Sequence, residues 1–123
     1  MTRRILIADD EPNIVVSLEF LMKREGFEVA TAVDGEATLA AIEKTRPDLV
    51  LLDIMLPKMN GFEVCQRIRS NPQWSGIKVL MLTAKGRDTE VAKGLALGAD
   101  AYVTKPFSTK DLVAQVRQLL GLE

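Results

Sequence analysis

Residues 49 to 57 read LVLLDIMLP, and two features of that stretch set the fold. The run Leu49–Leu52 is apolar throughout, with no alternation between inward and outward positions. A strand of this kind is covered on both faces, as in a parallel sheet packed between helical layers. Asp53 follows at once. A carboxylate buried without partners is costly, so the strand must surface at Asp53, with a cation offsetting its charge.

Outward from this stretch, further β-rich runs fall at Arg4–Ala8, Phe27–Ala32, Lys78–Leu82 and Ala101–Thr104. Two of them, ILIA and VLML, repeat the continuously apolar pattern. Helical spacing recurs between the runs. Ile14, Leu18, Leu21 and Met22 share one face, with Gly26 as a stop signal. Glu36–Thr45 is rich in alanine. Phe62, Cys65 and Ile68 make a third stripe, with Asn60 as its cap. Val91 and Leu95 anchor a fourth, ending at Gly98. Leu112, Val116 and Leu119 make a fifth, opened by Ser108 and Asp111 at capping-box spacing. This alternation predicts an α/β fold with a parallel sheet and right-handed crossovers. No linker, repeat or low-complexity tract interrupts it, so residues 1–123 are expected to form one domain.

Composition narrows the function. Of 123 residues, 27% are charged, and the net charge of −1 argues against the basic surface usual in nucleic-acid binding. The single cysteine, Cys65, excludes an internal disulfide and fits a reduced, cytoplasmic protein. No apolar run approaches the roughly 18 residues that span a membrane. Histidine is absent, which removes the commonest general base and metal ligand. Chemistry here must rest on carboxylates, hydroxyls, lysine and backbone.

In an open parallel sheet, sites form beyond the carboxyl ends of the strands. The residues delivered there are Asp9, Asp10 and Glu11 after the first strand, Asp53 after the third, Thr83 after the fourth and Lys105 after the fifth. Val33 and Asp34 after the second read as a turn and helix cap. Clustered carboxylates repel unless cations intervene, and a hard divalent ion suits oxygen ligands. An ammonium and a hydroxyl complete a setting for a phosphoryl group. Each piece also has a plain reading. DDEPN is what a solvated helix start looks like, with Pro12 in the first turn; Asp53 serves as a turn residue, Thr83 as a β-former and Lys105 as a surface charge. Their coincidence at four strand ends favours a site.

These residues resemble the response-regulator receiver domain, the phosphoacceptor module of two-component signalling. The resemblance is carried by ILIADDEP, PDLVLLDIMLPKMNGFEVCQRIR, VLMLTA and GLALGADAYVTKPF, and covers nearly the whole chain. It implies a flavodoxin-like (CheY-like), doubly wound five-stranded parallel sheet of order 2-1-3-4-5 with five helices. It implies Asp53 as phosphoacceptor. It implies a Mg²⁺ site, with Mn²⁺ as the alternative, formed by Asp10, Asp53, the Met55 backbone carbonyl and, through water, Asp9. Thr83 would bond a phosphoryl oxygen. Lys105 would pair with the phosphate or, before it, with Asp53. Thr83 and Tyr102 would form the switch, and the Lys105–Pro106 bond would be cis. Met55 and Lys85 would influence hydrolysis of the acyl phosphate.

The implied partners are a sensor histidine kinase or phosphotransfer protein and a downstream effector or attached output domain. A homodimer through the fourth helix, fifth strand and fifth helix is a further implication. Direct nucleic-acid binding and membrane insertion are not expected of this domain, nor is enzymatic turnover. At position 101 the chain carries Ala, where receivers joined to winged-helix DNA-binding domains often carry an acid. Gly94, inside the fourth helix, either makes that helix easy to displace or permits close packing. The rival readings differ in chemistry. A Mg²⁺-dependent phosphatase with an aspartyl nucleophile would carry an acid two residues on, where this chain has Met55. A flavin or nucleotide carrier would have a Gly/Ser/Thr-rich loop in place of DDEPN. An interaction module that has lost phosphorylation would lack some of the residues above.

Overall fold

The computed structural model describes residues 2–84 and 88–122. The strand–helix alternation runs β1 (Arg4–Ala8), α1 (Pro12–Arg24), β2 (Glu28–Ala32), α2 (Gly35–Thr45), β3 (Leu49–Asp53), α3 (Gly61–Ser70), β4 (Lys78–Ala84), α4 (Asp88–Ala96), β5 (Ala101–Lys105) and α5 (Thr109–Leu119). A 3₁₀ turn, Pro72–Trp74, precedes β4. The sheet has the order β2-β1-β3-β4-β5 and every pairing is parallel. This is the flavodoxin-like topology that the family resemblance implies.

The apolar run of β3 is explained by its place at the centre. Leu49 and Leu51 face a core shared with Leu18, Leu21 and Met22 of α1 and Leu112 and Val116 of α5. Val50 and Leu52 face the opposite core, with Ile42 of α2 and Val64, Cys65 and Ile68 of α3. Successive side chains point to opposite faces, so a strand with a core on each side must be apolar at every position. Each fully buried aliphatic side chain contributes about 1.5–3 kcal/mol.

Side chains close the helix ends as their residue types suggest. The Asp34 carboxylate accepts from Ala37 N–H (2.7 Å), Asn60 from Glu63 N–H (3.0 Å) and Ser108 from Asp111 N–H (3.3 Å). Pro12 opens α1, where its missing N–H costs nothing. On α3, the Arg69 guanidinium donates to the carbonyls of Gly98 and Ile77 (both 2.8 Å) and to the Asp100 carboxylate (2.6 Å). It ties the α4–β5 turn to the start of β4. Trp74 is buried under that same end of the sheet, within the α2–α3 core.

Three expectations are adjusted. Phe27 lies outside β2: its N–H donates to the Met22 carbonyl and closes α1. β4 extends to Ala84, so Thr83 and Ala84 pair in register with Thr104 and Lys105. Leu95 does not anchor α4, since it is 43% exposed. The residue buried there is Gly94. A Cβ at that position would lie 3.3 Å from Met81 Cε and 3.7 Å from the Phe62 ring, which accounts for the glycine by packing. Among the described residues, no helix is long and apolar enough to cross a membrane.

Candidate functional site

The parallel register brings the ends of β1, β3, β4 and β5 to one edge of the sheet. Asp9 continues the β1 ladder, donating its N–H to the Ala32 carbonyl (3.1 Å), and is fully buried at 0% exposure. Its Oδ1 accepts from Glu11 N–H (2.9 Å), which turns the chain into α1. Asp10 between them is exposed. Asp53 closes β3 but does not surface as expected: it stays buried at 5% exposure, and its Oδ1 accepts from the N–H of Met55 (3.1 Å). One carboxylate oxygen from each of Asp9, Asp10 and Asp53 lies within 4.8 Å of the others.

Lys105 enters this cluster from the end of β5. Its Nζ lies 2.8 Å from Asp9 Oδ2, 3.0 Å from Glu11 Oε1 and 3.6 Å from Asp53 Oδ2. The expected pairing with Asp53 is therefore its longest contact, and Asp9 and Glu11 are its hydrogen-bond partners. The geometry explains the preference: Asp9 Oδ2 is left open toward β5 because Oδ1 is occupied by the turn.

The charges respond to this crowding. Burial pushes the Asp53 carboxyl above the ordinary 3.8. The Met55 N–H and the Lys105 ammonium oppose that rise, while Asp9 and Asp10 add to it. Burial pulls Lys105 down, but its bonds to Asp9 and Glu11 and the charges of Asp53 and Asp9 outweigh it, so Lys105 stands above its ordinary 10.5. Three carboxylates therefore converge on one ammonium. Asp9, Asp10 and Asp53 add to this an excess of negative charge, with one oxygen from each within 4.8 Å of the others, and such a set fits a hard divalent cation.

Thr83, 2% exposed, sits near the end of β4 and makes a long bond to the Ala84 carbonyl (3.4 Å). Tyr102, 43% exposed, projects from β5. The space between them, bordered by Ile54, Glu90, Val91, Gly94 and Leu95, is too tight to hold a water molecule. Met55 is exposed, while Ile54 and Leu56 on either side of it are buried and anchor the loop after Asp53. The Lys105–Pro106 bond is cis. Lys85 lies outside the described residues. Cys65 is buried, its thiol 3.8 Å from the Leu97 carbonyl and pushed up by burial, as suits a small core residue.

Two contributors were not assigned from sequence. Glu11 is part of an acidic run in the sequence, yet it holds Lys105. Gly61 is the other: its N–H donates to the Ile54 carbonyl (2.8 Å) and a Cβ there would lie 2.5 Å from the Asp53 carbonyl oxygen. The start of α3 thus rests directly on the backbone that presents Asp53.

Residues 5–117 match the family described as the response regulator receiver domain. The chain is 48% identical over 120 residues to the DNA-binding response regulator MtrA of Mycolicibacterium smegmatis, a match covering 98% of this chain and 51% of that protein. It is 46% identical to the alkaline phosphatase synthesis transcriptional regulatory protein PhoP of Bacillus subtilis, covering 98% of this chain and 49% of that protein. The chain thus spans about half the length of these relatives. Among solved structures, it resembles the receiver domain of a sensor histidine kinase from Pseudomonas aeruginosa, determined with a magnesium ion coordinated in the active-site cleft. The TM-score is 0.89 and the identity 25%, with 98% of this chain and 99% of that one covered.

Proposed function

The chain belongs to the response regulator receiver domain family, and from that premise we propose that Asp53 is its phosphoacceptor, modified in a Mg²⁺-dependent reaction. The observation that carries this reading is the placement of the Asp53 carboxylate. It sits at the end of the central strand, within 4.8 Å of two further carboxylates and 3.6 Å from an ammonium. Asp10, Asp53, the Met55 carbonyl and, through water, Asp9 are the proposed holders of the ion, with Mn²⁺ as a substitute. When bound, the ion supplies positive charge against the phosphoryl oxygens and the acids around them.

The chain's own residues do the rest. The Met55 N–H holds Asp53 Oδ1, leaving Oδ2 directed toward Lys105. Oδ2 attacks the phosphorus of a phosphohistidine, an O–P bond forms, and the P–N bond breaks as the imidazole leaves and takes up a proton. Lys105 shifts from Asp9 and Glu11 toward the transferred group. Alignment and charge account for most of the rate in such transfers. Thr83, with only a long bond to give up, turns its hydroxyl to a phosphoryl oxygen. Tyr102 then turns toward the space Thr83 vacates, changing the face made by α4, β5 and α5.

The phosphoryl donor on this reading is a sensor histidine kinase or a phosphotransfer protein. The face of α4, β5 and α5 acts on an effector or an attached output domain, with a homodimer through that face as one form. The length of the relatives and the roles their names state favour an attached DNA-binding output, with residues 1–123 as one receiver unit, acting in the cytoplasm and without turnover as an enzyme. The test is incubation with a small acyl phosphate and Mg²⁺, read by intact mass. One phosphoryl adduct on the wild type and none on Asp53→Asn is the expected result. No adduct on the wild type, or an equal one on the variant, refutes the assignment.

A further inference from the structure

The first turn of α2 presses on the loop that follows Asp53. Gly35 opens α2 and is buried, and its backbone is not in the left-handed region, so no dihedral requires glycine there. Alanine is the better helix former, and Asp34 already caps the helix. What excludes a side chain is the loop. A Cβ at position 35 would overlap the Met59 carbonyl oxygen and lie 2.5 Å from Met59 Cβ.

The contact is also bonded. The Gly35 N–H donates to the Pro57 carbonyl (3.1 Å), which also accepts from Met59 N–H (2.7 Å). Between them Lys58 holds φ +67°, a left-handed conformation that a lysine adopts only where its surroundings impose it. Its Nζ lies 3.7 Å from the Asp34 carboxylate. At the near end of the same loop, the Met55 N–H grips Asp53 Oδ1. A continuous path therefore runs from the α2 backbone to the carboxylate.

We propose that Gly35 is a positioning residue for phosphoryl transfer: by lacking a side chain it seats the loop from Ile54 to Asn60 and, through the Met55 N–H, sets the orientation of the Asp53 carboxylate. This deepens the phosphoacceptor reading and rests on it. If Gly35 served the helix alone, alanine would be neutral or stabilising and the transfer rate would not change.

The test compares wild type, Gly35→Ala and Gly76→Ala, the last a control because a Cβ at position 76 meets nothing within 4 Å. Adduct formation with a small acyl phosphate at saturating Mg²⁺ is followed by intact mass, and amide shifts are recorded without metal. Gly35→Ala is expected to slow the adduct about tenfold or more and to move the amide signals of Met55 and Met59, while Gly76→Ala does neither. A wild-type rate in Gly35→Ala, or unmoved Met55 and Met59 signals, overturns this proposal alone. Absence of any wild-type adduct overturns the phosphoacceptor reading and this proposal with it. Should Gly35→Ala not fold, the wild type still decides. Coupling is reciprocal, so saturating Mg²⁺ must slow exchange of the Gly35 amide, and an unchanged exchange rate overturns the proposal.

Discussion

Replacing Asp53 by Asn is expected to stabilise the metal-free protein while abolishing the chemistry. The Asp53 carboxylate lies within 4.8 Å of Asp9 and 3.6 Å from Lys105. At an effective dielectric of about 20, that repulsion and that attraction are each roughly 3–5 kcal/mol and nearly cancel. Asp10 is exposed, and its repulsion is screened to about 1 kcal/mol. Burial of the charge therefore decides the sign. Asn keeps an oxygen for the Met55 N–H, and Lys105 keeps Asp9 and Glu11, so no partner is orphaned. The expected gain is about 1–2 kcal/mol, or roughly 4–8 °C in Tm for a domain of this size. The pH dependence follows from the raised carboxyl. Folding favours its protonated form, so its stabilising contribution is full below about 3.8 and is lost as pH rises through the elevated value. The advantage of Asn should thus be absent in acid and open toward neutral pH. Mg²⁺ should reverse the order by stabilising the wild type about 2.7 kcal/mol at a hundredfold excess over Kd. Thermal melts across pH, with chelator or with Mg²⁺, measure all of this. An Asn variant less stable than wild type in chelator at neutral pH, or stabilised equally by Mg²⁺, would refute the reasoning.

Lys105→Met should cost about 2–3 kcal/mol, because fully buried Asp9 loses its cation. Since Lys105 stands above 10.5, its contribution is full below that pH and disappears above the raised value. Urea melts should show the gap between variant and wild type closing in strong alkali. Gly61→Ala should lose about 2–3 kcal/mol, since its Cβ would meet the Asp53 carbonyl oxygen at 2.5 Å and Ile54 Cα at 2.7 Å, both backbone atoms unable to rotate away. A variant within 0.5 kcal/mol of wild type by denaturant titration would contradict that close approach. Hydrogen exchange should be faster in α4 than in α5, because α5 buries Leu112 and Val116 whereas α4 exposes Leu95. Equal protection in the two helices would count against a displaceable α4.

The central strands were legible because a sheet with a core on each face leaves no polar position, and LVLL, ILIA and VLML can hardly be read otherwise. The site residues were legible for a related reason: a parallel sheet gathers its strand ends, so position along the chain gave position in space. What the sequence did not show was pairing within the cluster. Three acids surround one lysine, and its choice of Asp9 and Glu11 depends on which carboxylate oxygen the Glu11 turn leaves open. Glycine contacts were equally hidden. Gly94 carries no hydrophobic signal, so Leu95, an apolar residue at helical spacing, stands out in the sequence although it is exposed. Phe27 has a strong β preference, yet its N–H completes the end of α1.

Trp74 is the only tryptophan, and it is packed beneath the amino end of β4, one strand length from the carboxylates. Its ring packs in the apolar core with Ile68, Ile77 and Val79. Its emission therefore reads the integrity of the core and not the charge state of the opposite edge. In the melts above, fluorescence reports unfolding without an offset from metal or phosphoryl group. Any change at fixed temperature on adding either would mean that the signal had crossed the whole sheet.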